Sequence, residues 1–420
     1  MEESVKIEKL GNIVDVKGGK RLPKGISLIS TPNNHPYIRI RDLGASKILE
    51  LNSAYEYVDD ETQKTIARYI VSSGDILISI VGTIGLVGIV GDSLHGANQT
   101  ENCVKLVNLK GIDRDYLYYF LSSNLGQNEI KRGIVGAVQS KLPIKNIEDI
   151  NIPLPSLALQ KSIASILSSL DSKIELNRRI NDNLEQQAQA LFKSWFVDFE
   201  PFKDGKFVES EMGMIPEGWK VGTIGEYCSI RSGYAFKSSW WQETGTKVIK
   251  IKNITDNKTL DMSDCSYVSS DKTYKAIDFQ ASPGDLIIAM TGATIGKFCI
   301  IPFHNDKIYI NQRVGKFFLG NNPLDRLPFI YCCLSYEPIY NEIISKGQGS
   351  AQPNIGGADI ENIRIVLSPS TELKEFNSLL RPIFQKKMQI EYELSKLSVL
   401  RDTLLPRLMS GELKINDLNC

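Results

Sequence analysis

The chain repeats itself, and the repetition decides what it can fold into. LGNIVDVKGG at Leu10 returns as IGEYCSIRSG at Ile224, and YIRIRDL at Tyr37 returns as VIKIKNI at Val248. GDILISIVGTIG at Gly74 returns as GDLIIAMTGATIG at Gly284, with one residue inserted. Asn98-Gln99 answers Asn311-Gln312, and the loop GAVQSKL at Gly136 answers GSAQPNI at Gly349, both 213 residues later. An offset held over so long a stretch means a duplicated unit. Single domains usually run about 100 to 200 residues, so a chain of 420 residues has room for two copies, each with its own core.

Each copy has the same internal order. Short β-branched runs punctuated by Gly, Asn and Pro come first and predict a strand-rich domain. A segment with helical periodicity follows. Ile163, Leu170, Asn177, Leu184 and Leu191 fall every seventh residue, with Ile166 and Ile180 on the accompanying positions, which is a heptad seam. Adding 213 gives Phe376, Ile383, Ile390, Leu397 and Leu404, all apolar, so the seam is duplicated too. Asn177 is placed to fix register, with a partly exposed residue as the equal alternative. Pro382 predicts a late start or a kink in the second helix, and Pro406 an end near it.

The resulting expectation is an α+β protein with two similar strand-rich globular domains, each followed by a long α-helix. The two helices pair as an antiparallel coiled coil with pseudo-two-fold symmetry, and each spans roughly 60 Å at about 1.5 Å per residue. The boundaries are a first domain at 1–156, a helix at 157–198, a linker at 199–217, a second domain at 218–369, a helix at 370–410 and a tail at 411–420. The linker composition, rich in Pro, Gly and charge, suits a crossing segment. Trp195, Phe196, Phe199 and Phe202 at the first helix end divide evenly between anchoring a partner and packing on the adjacent domain or linker.

Composition excludes more than it assigns. Lys+Arg and Asp+Glu are equal at 49 each, so no global positive field announces a nucleic-acid partner, and any such binding has to be local. Seven cysteines without a CxxC pair point to a reducing compartment and away from disulfides or zinc. Three dispersed histidines make a His-based metal or catalytic site improbable, so no catalytic and no metal residue is assigned. MEESVKIEKL is charged, and the most apolar run, Ile76 to Val90, falls short of the roughly 20 residues a bilayer needs. A cytoplasmic protein without membrane contact is expected. GATIGK at Gly292 lacks the P-loop spacing and has Phe298 where Ser or Thr should hold magnesium. Neither a GxGxxG opening a βαβ unit nor the Asn-Pro-Pro or Asp-Pro-Pro signature of an amino-methyltransferase is present.

In this order and duplicated, LFKSWFVDFEPF (Leu191 to Phe202), IPEGWKVGTIGEYCSIRSG (Ile215 to Gly233), the repeated GD with its GTIG or GATIG, and LLPRLMSGEL (Leu404 to Leu413) are specific. Over essentially the whole chain they resemble the specificity subunit of type I restriction-modification complexes. The resemblance implies two target-recognition domains, each reading one half of a bipartite site in double-stranded DNA, with the helices setting the gap. It implies docking of two modification (methyltransferase) subunits and of restriction subunits in the full complex. S-adenosylmethionine would then sit on the modification subunit and ATP with magnesium on the restriction subunit, leaving no cofactor and no catalysis to this chain.

The physical reading runs beside it. Two similar frameworks with different side chains should read different half-sites, about one to two duplex turns apart at roughly 34 Å per turn. Basic residues beside flexible ones orient a protein on phosphates, while Arg, Asn and Gln read base edges. In the first copy these are Lys17, Lys20, Arg21 and Lys24, then Arg39 and Arg41, then Lys131, Arg132, Gln139, Ser140 and Lys141. In the second they are Arg231, Lys237, Lys250, Lys252, Asn253, Lys346, Gln348 and Gln352. About half are expected to be plain solvated surface. Alternation with Ile38 and Ile40 puts Arg39 and Arg41 on one face of a strand, and Lys250 and Lys252 likewise. Asn98-Gln99 and Asn311-Gln312 recur unchanged, which favours a structural turn over base reading, and the repeated glycines at Gly82 to Gly85 and Gly292 to Gly296 read as tight turns. A coiled-coil scaffold that never touches DNA is the competing reading.

Overall fold

The runs after each Gly-Asp pair, Ile76–Ser79 and Leu286–Ala289, are apolar because both faces of each strand are covered, and every residue in them is buried. The coordinates are a computed structural model that describes residues 6–44, 46–347 and 353–414. Gly74 and Gly284 turn into these strands with φ of 88° and 89°, a conformation that excludes most side chains. Asp75 and Asp285 then accept the backbone N–H of Ser72 and Ser282 at 2.9 and 2.7 Å. Lys105 and Lys316 on the neighbouring strand complete the arrangement, at 3.6 and 2.6 Å from those carboxylates. The Gly-Asp repeat is therefore a turn-maker held by one ion pair.

Around these strands the two copies build the same sheet. The first has the order Asp15–Gly18, Cys103–Val107, Ile76–Ser79, Val87–Val90, extended in parallel by Ile48–Leu49. The second has Ser229–Ser232, Val314–Phe318, Leu286–Ala289, Phe298–Ile300. A second sheet recurs as well. Pro36–Ile38 lies between antiparallel Glu56–Tyr57 and parallel Asn98–Gln99, as Thr246–Ile249 lies between antiparallel Ser266–Val268 and parallel Ile308–Ile310. Each copy closes with an antiparallel pair, Lys6–Lys9 on Asn151–Leu154 and Lys220–Thr223 on Arg364–Leu367. The offset is not constant through the strands. It is 211 here, not 213, for Lys105 and Lys316 and for the turn before them. Thr100 N–H donates to Ile38 O as Asn311 N–H donates to Ile249 O, so the repeated Asn98-Gln99 and Asn311-Gln312 lie two residues out of register and are not structural equivalents.

The long helices are Leu157–Phe196 and Ser370–Met409, 40 residues each. By contacts the chain divides into Met1–Ile174 with Leu397–Cys420, and Glu175–Lys396, so the division runs through both helices and not through the linker. In the second unit Asn181 meets Glu391 and Phe196 meets Phe376, so the helices run antiparallel there. In the first unit Asp171 meets Arg401, with Leu167 and Leu408 in one core, and the direction is the same.

The seam differs in detail from the heptad reading. Ile163, Asn177, Phe376 and Ile390 are buried, while Leu170, Leu184, Leu191, Ile383, Leu397 and Leu404 are half-buried. The companion positions of the first helix are not Ile166 and Ile180, which stay half-exposed, but Gln160, Leu167, Ile174, Asn181 and Ala188. Each helix end also packs on its own domain, so the buried stripe is wider than a coiled-coil seam and turns toward the sheets. Pro382 neither delays nor ends the second helix, which begins at Ser370. It sits on the exposed face, where its ring leaves the Ser378 carbonyl without a helical donor but does not crowd the buried stripe. The segment after the first helix is ordered too. Phe207–Ser210 pairs with Gly213–Pro216, and Trp219 packs edge-on against Phe202 and tilted against Phe196, at 4.9 and 5.3 Å. Trp195 contacts Phe202 and Phe376, so the aromatic helix end fills the core of the second unit.

Candidate nucleic-acid interface

Five connections of the first copy are hydrogen-bonded side by side. Lys20 N–H donates to Gln99 O at 3.3 Å, and Thr100 N–H donates to Ile38 O at 3.1 Å. Ile80 donates to Asn102 O and its own carbonyl accepts from Leu142, at 2.8 and 2.9 Å. The glycine turn after Ile80 therefore stands between the 99–102 turn and the 135–141 loop. That loop is pinned at its neck by reciprocal Val135 and Lys141 backbone bonds of 2.9 Å, and Gln139, Ser140 and Lys141 are exposed on it. Ser140 turns inward and donates to Gly136 O at 3.3 Å.

The second copy reproduces the scheme. Met290 N–H donates to Arg313 O and Met290 O accepts from Ile355, at 3.0 and 2.9 Å, and Gly292 N–H donates to Pro353 O at 2.9 Å. Gln348 and Gln352 lie outside the described residues.

The charged candidates fall into distinct groups. Lys17 and Lys24 are exposed, as is Lys131. Lys20 is exposed and lies 5.8 Å from the Tyr69 ring centroid. Arg21 donates to Glu101 at 2.7 Å; this bond raises the guanidinium pKa, and Glu101, which burial alone would push up, is instead held low with Arg21 as the main cause. Arg132 pairs with Glu129, and Lys346 with Glu342 at 3.5 Å one helical turn away. Arg231 lies over Phe318, and Lys237 over Trp240.

Arg39 and Arg41 are not on a strand face. The strand ends at Ile38, and Ile40–Asp42 is a 3-10 turn, because Asp42 accepts the Arg39 N–H at 2.7 Å and bends the chain. Both guanidinium groups nonetheless converge on Glu56, Arg41 at 2.8 Å. In the second copy Lys250 precedes the same turn, Ile251–Asn253, and Lys252 lies within it. Lys250 stands 3.6 Å from the Trp241 ring centroid, and burial, with Lys252 nearby, lowers its pKa. Lys252 pairs with Asp264 at 2.5 Å.

Asn253 is the buried counterpart of Asp42, and its side-chain amide is engaged by the chain itself. Its Oδ1 accepts the Lys250 N–H at 2.9 Å, and its Nδ2 donates to the carbonyls of Asp261 and Asp264. Asn98, Gln99 and Asn311 are buried, while Gln312 is exposed. Sequence reasoning missed Arg313, an exposed base on the turn that matches Glu101 and Asn102. Aligning TEN at Thr100 with NQR at Asn311 would have found it.

Among the described residues no group of three or more His, Cys, Asp or Glu is placed to hold a metal ion, and no helix is long and apolar enough to cross a membrane. The family model for the type I restriction modification DNA specificity domain matches twice, over residues 2–186 and 216–396. The chain belongs to that family. Each match covers one copy of the duplicated framework with part of its following helix. The MjaIX type I restriction enzyme specificity subunit of Methanocaldococcus jannaschii is 26% identical over 98% of this chain and 94% of its own length. The MjaVIII specificity subunit of the same organism is 28% identical over 96% of each chain. The crystal structure of the type I restriction-modification S subunit from M. genitalium matches with a TM-score of 0.62 at 18% identity, covering 97% of this chain and 96% of that one. Its likeness carries the fold, and the specificity-family assignment rests on the duplicated family match.

Proposed function

We propose that this member of the specificity family reads an asymmetric, bipartite DNA sequence, one half with each copy, and directs adenine methylation and cleavage through partner subunits without catalysing either. The observation that carries the reading is a constant backbone network presenting different side chains. Where the first copy shows Glu101 and Asn102, the second shows Gln312 and Arg313, and where the first has Arg39 and Arg41 on Glu56, the second has Lys250 on Trp241. Identical readers would require a palindrome; similar frames with different side chains read different words.

Double-stranded DNA is one partner in this reading. Two modification subunits, which carry S-adenosylmethionine, and restriction subunits, which carry ATP and magnesium, are the others, and the work is done in the cytoplasm. The chain supplies position only, with phosphate contacts from the exposed lysines and base contacts from the loop residues.

The test is co-expression with the cognate modification subunit in a methylation-free host and mapping of N6-methyladenine by single-molecule sequencing. An asymmetric split motif that depends on this chain supports the reading, and exchanging one domain should change one half alone. Methylation indifferent to this chain, with the partner bound and active, would leave the helix pair as a scaffold.

A further inference from the structure

Lys47 and Lys258 occupy the same position in the two copies, at the ends of YIRIRDLGASK and VIKIKNITDNK, each eight residues after Arg39 or Lys250. Lysines are rarely buried without a partner, yet the Lys47 side chain is 11% exposed and that of Lys258 33%. Both leave the face that carries the basic turn and run to the long helices. Within the first unit Lys47 donates to Ser168 of the first helix at 2.6 Å and to Tyr119 at 3.2 Å, and pairs with Asp115 at 2.6 Å. Tyr119 donates onward to Asp171 of the same helix at 2.6 Å, where Arg401 of the second helix also arrives.

Within the second unit Lys258 donates to Ser335 at 2.8 Å and to Glu185 of the first helix at 3.1 Å. Tyr331 donates to the same carboxylate at 2.8 Å, and Lys387 of the second helix pairs with it. Lys258 holds φ at 57°, a left-handed conformation costly for a lysine and kept only where surrounding contacts demand it. Against burial, which alone would raise it, Lys387 and Lys258 bring the Glu185 pKa down to about 2. The two clusters share a plan but not their helix residues: a lysine from the domain, a tyrosine from the domain's helix and a carboxylate on the first long helix.

Apolar packing sets how near a domain lies to a helix but lets it slide and turn. Hydrogen-bonded charges of fixed geometry remove that freedom. We infer that Lys47 and Lys258 are positioning residues that fix the direction in which each recognition domain leaves the helix pair, and through it the number of base pairs tolerated between the two half-sites. The inference rests on the bipartite reading proposed above. It assigns a specificity-determining role to residues away from the DNA-facing loops.

Successive base pairs are roughly 3.4 Å apart, so a small change in domain direction moves the gap by one. The experiment is the methylation map of the complete complex carrying Lys47→Met, Lys258→Met or both. The expected result is that both half-words are kept while methylation spreads to sites whose gap is one base pair longer or shorter, more so in the double variant. A complex that methylates its sites with a single unchanged gap in all three variants would overturn the inference. If Lys258→Met yields no soluble complex, Tyr331→Phe with Ser335→Ala loosens the same cluster while keeping the charges, and a single gap there would overturn it equally. Absence of a split motif in the unaltered complex would instead sink the bipartite reading itself.

Discussion

Glu185 of the first long helix is paired with Lys387 of the second in the interior of the second unit, and Lys258 shares the carboxylate at 3.1 Å. Removing one member of such a cluster leaves the remaining charges buried and uncompensated, which typically costs about 3–5 kcal/mol. Glu185→Gln is therefore expected to lower the unfolding midpoint of the second unit well beyond the effect of a surface substitution, as read by denaturant titration.

The same carboxylate predicts a pH dependence. Its folded pKa of about 2 lies below the ordinary 4.5, so its stabilisation is complete above pH 4.5 and is lost as pH falls toward 2. The separation corresponds to roughly 3 kcal/mol. The stability difference between the natural chain and Glu185→Gln should be full at pH 6 and shrink steadily between pH 4.5 and 2. A difference independent of pH in that window would show that the charge is not what holds the site.

Asn253 makes a contrasting case. One of its hydrogen bonds closes the turn from Lys250, and the other two tie that turn to the Asp261 and Asp264 carbonyls. Asn253→Ala should cost about 1–3 kcal/mol, the usual consequence of stripping buried polar groups of a partner. Melting temperature should fall while the methylated sequence stays the same; a changed half-word with unchanged stability would put Asn253 on the DNA.

Glu56 restrains both Arg39 and Arg41. If these guanidinium groups meet phosphates, Glu56→Gln should tighten DNA binding at low salt and steepen its salt dependence by up to about one unit of log–log slope per released contact. Charge reversal of Lys20, Arg21, Arg39 and Arg41 should do the opposite. Fluorescence anisotropy with a labelled duplex at two salt concentrations reads both.

What the sequence carried was periodic or repeated. The duplicated Gly-Asp turns and the heptads survive translation into sheets and helices, because backbone turns and apolar stripes are local properties of the chain. What it hid depended on long-range partners. Alternation at Ile38, Arg39, Ile40 and Arg41 has the period of a strand, but Asp42 bends the chain into a 3-10 turn, and only the fold shows that Glu56 lies within reach of both arginines. Lys47 and Lys258 look like surface lysines until Ser168 and Glu185 appear beside them. The companion positions of the first helix were misplaced by one residue for the same reason: each helix end faces its domain as well as the other helix.

Asn177 lies in the middle of the first long helix at 2% exposure, and its Nδ2 has no hydrogen-bond partner among the described residues. One turn on, Asn181 donates to Glu391 at 2.6 Å while its own Oδ1 is unpartnered, and burial raises the Glu391 pKa. A buried donor without an acceptor costs about 1–3 kcal/mol, whereas an apolar side chain of similar shape on this seam removes that cost. Asn177→Leu is thus expected to raise the stability of the second unit, and the sign is what matters. A gain measured by thermal melting means that the asparagine is kept for something other than stability, which for a heptad position is the register of the pair. Register loss would then appear as a second population in disulfide trapping between cysteines placed at Asn181 and Glu391, where the natural chain gives one. A loss of stability would mean instead that water enters the seam and bonds Asn177, making the polar layer part of what holds the helices together.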